Sequence, residues 1–430
     1  MRETKDSGVP WIGEIPTGWK TRRIKTLFTE RVELSETGTE TLLSVSEYYG
    51  VDSRSAHIDE DEYLSRSESL VGYKKCYPGD IVSNIMLAWK GSLGVASQEG
   101  IVSPAYCVYK PSSGVYPKYY HYLFRTSLYT GQFKCHSKGI IDSRLRLYSP
   151  FFFDITALIP PTREQKSIAN FLDEKCAEID SILEKTRTSI EDYKALKLSV
   201  ITEAVTKGIR GKRAMKDSGV EWIGMIPAEW GIIRKLSFLC NKSISYGIIK
   251  LFDPEENGVP VLRCSDVKAG YIDSSNIRTV SKSLSDEYKR TILKGGEIVI
   301  NVRGTLGGCA LVPEWMKGFN VAREVAVIDT SGIVSRYLMY YLLSNAFSTY
   351  EQIHLSGCVY VGLNIELLSS CPIPFPRLDE QQEIAAYLDE KCATIDSLIA
   401  SKEALIAELE AYKKSIIYEF VTGKKEVPAV

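Results

Sequence analysis

The chain has 430 residues, of which 44% are hydrophobic and 25% charged, and its formal net charge is −1. Such a composition is typical of a globular protein with two or three domains of roughly 100–200 residues, and no apolar run approaches the ~20 residues that a membrane span needs. We therefore do not expect a membrane protein. The near-zero charge excludes a uniformly basic surface, so any contact with nucleic acid must be local or shared with a partner.

The N-terminal residues 1–6 are polar and no apolar signal core follows them, so we expect the chain to stay in the cytoplasm. Its ten cysteines include no Cys-x-x-Cys pair, which favours buried or free thiols over disulfides. His136 beside Cys135 lacks a second Cys/His pair at zinc-finger spacing, so no metal site is expected.

The chain contains an internal duplication. Residues 5–19 recur at 216–230 with eleven of fifteen positions identical, and residues 172–183 recur at 388–399 with nine of twelve identical. The segments between these blocks have nearly equal lengths but largely different sequences. Conserved blocks that occur twice indicate one geometric role performed twice, whereas the divergent segments indicate two different targets.

The divergent segments, residues 20–158 and 231–372, mix short β-rich runs with glycine-rich turns and tyrosine-rich helical stretches. The aromatic residues of the matching stretches Tyr119–Arg125 and Tyr337–Ser344 are interpreted as core in preference to a platform for stacking bases. Each segment is predicted to be an α/β (α+β) domain.

A long helix is predicted over residues 162–205. Pro160 and Pro161 block its extension backwards, Thr162 and Gln165 fit a capping box, and Gly208 suits the C-terminal end. Its apolar positions step by three and four along one stripe: Leu172, Ile179, Ile182, Tyr193, Leu196 and Val200.

The second copy of this helix has a stricter seven-residue repeat, typical of a coiled coil, formed by Leu388, Ile395, Lys402, Leu409 and Ile416 with Leu398, Leu405 and Tyr412 between them. Neither helix has an ideal apolar stripe alone, so we expect the two to pair. At about 1.5 Å per residue, about 42 residues would form a rod roughly 60 Å long that separates two domains. The alternative is that both are ordinary amphipathic helices packed on a globular core.

The predicted organisation is a first domain over residues 1–158, a first spacer helix over 159–208, a second domain over 209–372 and a second spacer helix over 373–424. The basic linker from Lys207 to Lys216 is interpreted as an exposed, flexible joint, although its cations could also contact phosphate.

Motifs for DNA chemistry are missing from the sequence. Ile159–Thr162 lacks the polar and aromatic residues of an amino-methylation motif, and the segment 208–213 lacks the spacing and hydroxyl of a phosphate-binding loop. The repeated carboxylates Asp173 and Asp389, each followed by Glu and Lys, are placed on the first turns of the predicted helices. Acidic residues there interact favourably with the positive end of the helix dipole, so this role, or a subunit contact, is preferred to a nuclease site. We therefore expect a binding protein and no enzyme.

Taken with the paired helices and the missing active sites, two duplicated motifs resemble the specificity subunit of type I restriction-modification enzymes. One runs from Trp11 to Trp19 and returns at 222–230; the other begins at Ile159 and returns from Ile373. The resemblance spans nearly the whole chain. It implies two target-recognition domains, each reading half of a split DNA site, separated by two antiparallel helices that form a coiled coil.

The resemblance also implies partners. Two methylation subunits would dock on the helices, bind S-adenosylmethionine and modify adenine, and motor-nuclease subunits would add ATP- and Mg-dependent restriction of foreign DNA. No cofactor would be bound by this chain itself. Two similar domains related by an approximate two-fold axis would meet the two strands of double-stranded DNA in equivalent ways.

Base readout needs cations, amides or hydroxyls on loops. Lys90–Ser92 and Arg303–Thr305 are predicted as a matching pair in which a cation and a hydroxyl flank a glycine; the alternative is a solvated β-turn. The complete set of predicted DNA-binding residues is Lys90, Ser92, Lys138, Arg144, Arg146, Lys250, Arg263, Lys289, Arg290, Arg303, Thr305 and Tyr360.

Two other functions remain open at this point. One is a structural adaptor whose domains bind proteins along a coiled coil without contacting DNA, and the other is an enzyme with an unrecognised site. Binding to DNA with and without a methylation partner separates the first from a specificity subunit, and turnover by the isolated chain would support the second.

Overall fold

The structure, a computed structural model, describes residues 2–54, 69–231, 233–250, 254–355 and 362–428. The chain forms two compact units: unit 1 comprises Met1–Thr186 with Ala404–Val430, and unit 2 comprises Arg187–Glu403. Each long helix therefore contributes one part to each unit. In the described part of the chain, no helix combines the length and the apolar character needed to cross a membrane.

Unit 1 is a mixed α/β unit. Its elements are β1 (Thr4–Asp6), β2 (Glu14–Pro16), β3 (Lys20–Arg23), β4 (Phe28–Arg31), β5 (Leu43–Ser46), β6 (Gly50–Ser53), β7 (Lys74–Cys76), β8 (Ile81–Asn84), β9 (Leu93–Val95), β10 (Gly100–Val102), β11 (Tyr106–Pro111), α1 (Pro117–Phe124), α2 (Ser127–His136), α3 (Ser149–Asp154), β12 (Thr156–Ile159) and the start of α4 (Thr162–Lys207).

The main sheet of unit 1 is antiparallel with strand order β4-β11-β8-β9. All four residues of the inner strand β8 are buried, because successive side chains point to opposite faces and both faces are covered. Ile81 lies in the same core as the helix residues Tyr119 and Tyr120, whereas Val82 packs in a second core with Leu43 of β5.

Unit 2 repeats this plan. It contains β13 (Met215–Asp217), β14 (Met225–Pro227), β15 (Arg234–Lys235), β16 (Ser245–Tyr246), β17 (Val259–Leu262), β18 (Arg278–Val280), α5 (Lys282–Glu287), β19 (Ile298–Asn301), β20 (Cys309–Leu311), β21 (Asn320–Val321), β22 (Val325–Ile328), α6 (Ser335–Leu342), α7 (Asn345–Leu355), α8 (Ile365–Ser370), β23 (Pro372–Ile373) and the start of α9 (Leu378–Val421).

The antiparallel sheet of unit 2 has the order β16-β22-β19-β20, which corresponds strand for strand to that of unit 1. Unit 2 differs in carrying the three-stranded sheet β18-β17-β21. The tyrosines of the predicted matching stretches are core residues in both copies, as Tyr119 and Tyr337 are fully buried. The predicted fold class, with its internal duplication, is thus confirmed.

The repeated tryptophan motif has a structural role that is the same in each unit. Trp19 Nε1 donates to Glu164 Oε2 at 2.9 Å, and Arg2 pairs with the same carboxylate at 2.6 Å. In unit 2, Trp230 Nε1 donates to Glu380 Oε2 at 3.0 Å and Arg213 pairs with Glu380 at 2.6 Å. We call this arrangement the Trp–Glu–Arg clasp; it joins each tryptophan block to the first turn of a long helix.

The start of α4 at Thr162 agrees with the sequence prediction, but the capping box is wrong. The Thr162 hydroxyl donates to Gly114 O, while buried Gln165 donates to Pro160 O and accepts from Tyr116 N. Gln381 makes the same two kinds of bond in unit 2. The glutamine is therefore used to tie the helix to the loop before α1 or α6, because a buried amide needs partners on both sides.

The two long helices run antiparallel within each unit. In unit 1, the rings of Phe171 and Phe420 lie 4.5 Å apart, and Lys413 pairs with Asp180 at 2.6 Å. In unit 2, Lys197 pairs with Asp396 at 2.7 Å. Residues with rising numbers on α4 contact residues with falling numbers on α9, which makes the two helices antiparallel. The pairing predicted from the seven-residue repeat is therefore confirmed.

Each of the two predicted apolar stripes is only partly buried against the partner helix and the cores. Leu172, Ile179, Leu388, Ile395 and Ile416 are buried, as expected. Five other predicted seam residues are exposed by 41–58%: Ile182, Leu196, Leu398, Leu405 and Tyr412. Tyr193, Val200, Lys402 and Leu409 are partly exposed. The seam prediction was wrong for the five exposed residues because Cys176, Leu183, Ile190 and Cys392 take the buried positions instead.

The basic linker after α4 is not a free joint. Within unit 2, Arg210 pairs with Glu383 at 2.8 Å and with Asp379 at 3.2 Å, and Arg213 belongs to the clasp. These bonds hold the linker against the first turns of α9. These two arginines are therefore used in folding, and the interpretation of the linker as a flexible joint was wrong.

Candidate nucleic-acid interface

The predicted DNA-reading loops follow equivalent strands. The loop of residues 85–92 joins β8 to β9 in unit 1, and residues 302–308 join β19 to β20 in unit 2. Asn84 N donates to Ser92 O at 3.0 Å, and Asn301 N donates to Gly308 O at 2.8 Å. The loops therefore occupy the same place in the fold, closed by the same backbone bond.

That bond shows that the predicted pairing within the loops was wrong. Ser92 corresponds to Gly308 and not to Thr305, so Lys90–Ser92 is displaced by three residues from Arg303–Thr305. Gly91 corresponds to Gly307, and both have positive φ, of 91° and 86°. The similar cation–glycine–hydroxyl patterns thus arose at different points of two equivalent turns.

Ser92 itself is not available for base readout. Its side chain is buried, with 1% exposure, and its hydroxyl donates to Val45 O at 3.0 Å. The prediction that Ser92 contacts DNA is corrected, since its hydroxyl serves to join β9 to β5. Lys90, by contrast, is exposed, and its Nζ lies 5.3 Å from the ring centre of Trp89.

A second cation shares the Trp89 ring. Lys134 Nζ, from the last turn of α2, lies 4.9 Å from the same ring centre, and it pairs with Asp142 at 2.9 Å. Sequence analysis missed Lys134, although its position one turn before Lys138 was a usable signal. Trp89 therefore holds two cations together at the surface of unit 1.

The segment 138–146 lies beside this pair. Lys138 and Arg146 exchange both backbone hydrogen bonds, each 2.9 Å long. Leu147 N then donates to Ile85 O, which attaches the segment to the loop after β8. The structure thus brings Lys90, Lys138, Arg144 and Arg146 together in one region of unit 1, as four of the predicted DNA-binding residues.

In unit 2 a second cluster of cations lies near Tyr246. The guanidinium of exposed Arg303 lies 5.2 Å from the Tyr246 ring centre. A cavity of about 400 Å³ is lined by Tyr246, Lys289 and Arg290, together with Glu287, which pairs with Lys250. Arg303, Lys289 and Arg290 therefore lie around a tyrosine that sequence analysis missed, and Glu287 links Lys250 to the same cavity. The Tyr246 hydroxyl accepts a bond from Ile365 N at 3.1 Å, which fixes the ring.

The other predicted residues of unit 2 are Arg263, Thr305 and Tyr360. The Arg263 guanidinium is held by Asp266 at 2.9 Å and by Asn276 O at 2.7 Å, which gives this side chain a role in stabilising its loop. Thr305 is exposed, and its backbone oxygen accepts from Asn301 Nδ2 at 3.0 Å. Tyr360 lies outside the described residues.

The repeated carboxylates on the helices are used for packing. Asp173 accepts from the Tyr122 hydroxyl at 2.7 Å and pairs with Lys118 at 2.8 Å. Asp389 accepts from the Tyr340 hydroxyl at 2.7 Å and pairs with Arg336 at 2.6 Å. Burial, together with the hydrogen bond to Asp173, raises the pKa of Tyr122 far above its ordinary value. Asp173 and Asp389 lie well past the first turns of α4 and α9, so the interaction with the helix dipole that was predicted for them is replaced by packing within their own units.

Residues 227–411 match the family model described as the type I restriction modification DNA specificity domain. The chain is 26% identical over 276 residues to the specificity subunit of the Escherichia coli type I restriction enzyme EcoBI, an alignment that covers 62% of this chain and 57% of that protein. It is 25% identical over 358 residues to the specificity subunit of the enzyme MjaVIII from Methanocaldococcus jannaschii, with 80% of each chain covered.

Two solved structures have the same fold. One is a chain from a study of complex assembly and conformational transition of the type I R-M system, with a TM-score of 0.70, 16% identity, and 96% and 99% of the two chains covered. The other is the HsdS subunit of Thermoanaerobacter tengcongensis, with a TM-score of 0.54, 18% identity, and 96% and 98% covered.

Proposed function

We propose that this chain belongs to the type I restriction-modification DNA specificity family and is a subunit that recognises a bipartite DNA sequence, each unit reading one half of the site. The observation that carries this proposal is the duplication at the level of individual bonds. The Trp–Glu–Arg clasp and the paired tyrosine–aspartate contacts are repeated in both units, while the surface loops differ. A repeated scaffold with different loops is suited to two related but unequal targets.

The readout surface in unit 1 is assigned to Lys90, Lys138, Arg144 and Arg146, joined by Lys134. The readout surface in unit 2 is assigned to Lys250, Lys289, Arg290 and Arg303 around Tyr246, with the exposed Thr305 in the same loop as Arg303. Exposed Arg and Lys side chains suit both phosphates and guanine edges. Their clustering on two surfaces also accounts for DNA binding by a chain whose net charge is only −1.

The helices are proposed to set the distance between the half-sites and to dock two methylation subunits. In unit 1, Ile182 and Tyr412 leave 46% and 58% of their surfaces exposed, and in unit 2 Leu196 and Leu398 leave 48% and 42%. Apolar side chains at helical spacing that are not covered by the chain's own core are typical of protein interfaces. Their symmetric occurrence supports two equivalent docking sites.

In this proposal the chain performs no chemistry. The methylation subunits bind S-adenosylmethionine and modify adenine, while motor-nuclease subunits use ATP and Mg to cleave foreign DNA in the cytoplasm. The side chains examined for catalysis, Asp173 and Asp389, are engaged by tyrosine and basic partners within their own units. This supports a recognition role over an enzymatic one.

The test is to purify the chain together with its methylation subunit and to map methylated adenines on random-sequence DNA. Residues 231–372 are then exchanged for those of a relative, and in a matched variant residues 20–158 are exchanged instead. Each exchange should alter one half of a bipartite motif and leave the other unchanged. A stable complex that neither methylates nor binds DNA would favour the protein-only adaptor.

A further inference from the structure

Ile140 lies at the end of a short projection of unit 1. Its side chain is 100% exposed, more than any other large apolar side chain among the described residues, and its neighbour Ile141 is 53% exposed. Isolated exposed apolar residues are common, but two adjacent isoleucines at the end of a projection are a candidate contact surface. We call residues 138–146 the tip segment.

The tip segment has a defined conformation. The reciprocal backbone bonds between Lys138 and Arg146 close its base, and residues Asp142–Arg144 form a single 3-10 turn. Gly139 has φ of 150°, and a Cβ atom there would lie 2.5 Å from Arg144 O, so the chain passes too closely for any other residue. The turn therefore holds Ile140 outward without contacts of its own.

The base of the tip segment is attached to the body of unit 1. Leu145 and Leu147 are buried, and Leu147 N donates to Ile85 O. Lys138 Nζ lies 4.5 Å from the ring centre of Phe151. A rigid base allows an exposed side chain to be pressed against a partner without first being ordered, which lowers the entropic cost of binding.

The charges around Ile140 are mainly positive. Lys138 and Arg144 are exposed within the tip segment, and Arg146 is half-buried beside them. The single carboxylate of the tip segment, Asp142, is paired with Lys134 at 2.9 Å. An apolar point surrounded by cations is complementary to a polyanion with an apolar interior, and the DNA duplex has phosphates outside and stacked bases inside.

We propose that Ile140 is an apolar wedge that presses on a base step of the half-site read by unit 1 and partly unstacks it, while Lys138 and Arg144 bind the flanking phosphates. The inference rests on the proposed DNA-reading function. Proteins that insert Ile, Leu or Phe between base pairs kink the duplex and favour sequences that deform easily. Ile140 would thus select a flexible step without forming a hydrogen bond to any base.

Two matching histidines identify the segment of unit 2 that is equivalent to the tip segment. His136 and His354 each bond through Nδ1 to the carbonyl four residues earlier, and Gly139 and Gly357 both come three residues later. Residues 356–361 of this segment lie outside the described residues, so the proposal concerns unit 1.

The experiment uses the full chain with its methylation subunit and a duplex that carries the mapped methylation site. 2-Aminopurine replaces each adenine of the unit 1 half-site in turn, because its fluorescence rises when stacking is lost. Ile140→Ala should remove the fluorescence rise and weaken binding by about tenfold, as expected for one isoleucine no longer buried. Ile140→Leu should retain both properties, and Val32→Ala, at another exposed position of unit 1, should change neither.

Three results would overturn the wedge. Wild-type binding without any rise in fluorescence would show that the bases stay stacked, although the proposed function would stand. Equal affinity of Ile140→Ala and wild type would exclude a contact by this side chain. Loss of the methylation subunit from Ile140→Ala, with DNA binding kept, would assign the tip segment to a protein partner. Failure of the wild-type complex to bind any methylated site would instead refute the proposed function.

Discussion

Replacing Glu380 by alanine tests how strongly the Trp–Glu–Arg clasp stabilises unit 2. The Glu380 side chain is only 2% exposed, and it binds both Trp230 Nε1 and the Arg213 guanidinium, which is 12% exposed. Alanine leaves a buried indole donor and a nearly buried cation without their acceptor. Glu164→Ala is the matched change in unit 1, where Glu164 is 24% exposed and Arg2 is 18% exposed.

The expected magnitudes follow from this difference in burial. Removing one partner of a buried ion pair costs about 3–5 kcal/mol, because the remaining charge keeps its desolvation penalty, so Glu380→Ala should lie in this range. Water can reach Glu164, so its loss should cost less, about 1–3 kcal/mol. Glu380→Gln, which still accepts a bond from Trp230 but loses the charge, should cost less than Glu380→Ala.

Because the chain has two units, a single unfolding midpoint is not a sufficient measurement, and hydrogen exchange followed by mass spectrometry is the suitable assay. Glu380→Ala should reduce protection in residues 187–403 and leave residues 1–186 nearly unchanged. Burial does not set the cost of losing the carboxylate if Glu164→Ala reduces the protection of unit 1 as much as Glu380→Ala reduces the protection of unit 2. Equal loss of protection in both units of Glu380→Ala would show that this clasp does not act on unit 2 alone.

Three further predictions concern binding and pH. Arg303→Ala should weaken DNA binding by roughly 1–3 kcal/mol and reduce the number of counterions released on binding by about one. Arg377→Ala, the matched control, should change neither quantity. Binding titrations of Arg303→Ala that match wild type would mean that the loop of residues 302–308 is a solvated turn without DNA contact. The double variant Leu405→Lys, Tyr412→Lys should lower the yield of methylation subunit that co-purifies with the chain by about tenfold. Its melting temperature should change little, since both side chains are exposed. Unchanged co-purification would show that this surface does not bind the methylation subunit. Burial raises the pKa of Glu351 from 4.5 to about 7, so ionisation of this side chain is disfavoured in the folded chain. The folded chain should therefore lose stability as the pH rises from 4.5 to 7. In thermal melts, Glu351→Gln should be more stable than wild type by about 1–2 kcal/mol at pH 8, a range that allows for the partial exposure of the side chain, and no more stable at pH 4.

Several features could be predicted because they depend on local sequence. The start of α4 at Thr162 follows from the two preceding prolines, and its end before Gly208 follows from a glycine that adopts φ of 72°. The burial of Tyr119 and Tyr337 follows from apolar spacing on short helices.

Other features depended on contacts between distant segments. Lys90–Ser92 and Arg303–Thr305 look alike in sequence, yet the closing bonds at Ser92 and Gly308 show that they are out of step. A turn with several glycines can be aligned in more than one way, and only strand pairing sets the register. For the same reason, Ser92 resembled a surface hydroxyl until its bond to Val45 O placed it inside the unit.

The sequence by itself determined the duplication, the two long helices and their pairing, because repeats and helical periodicity are written in neighbouring residues. Only the tertiary structure decided which residues of each predicted apolar stripe are buried, that Lys134 joins Lys90 on Trp89, and that Arg303 lies over Tyr246. Those outcomes depend on which side chains from remote segments compete for the same space and partners. The linear sequence pattern does not show which remote side chains will meet, since burial and hydrogen bonding are determined only when all segments pack together.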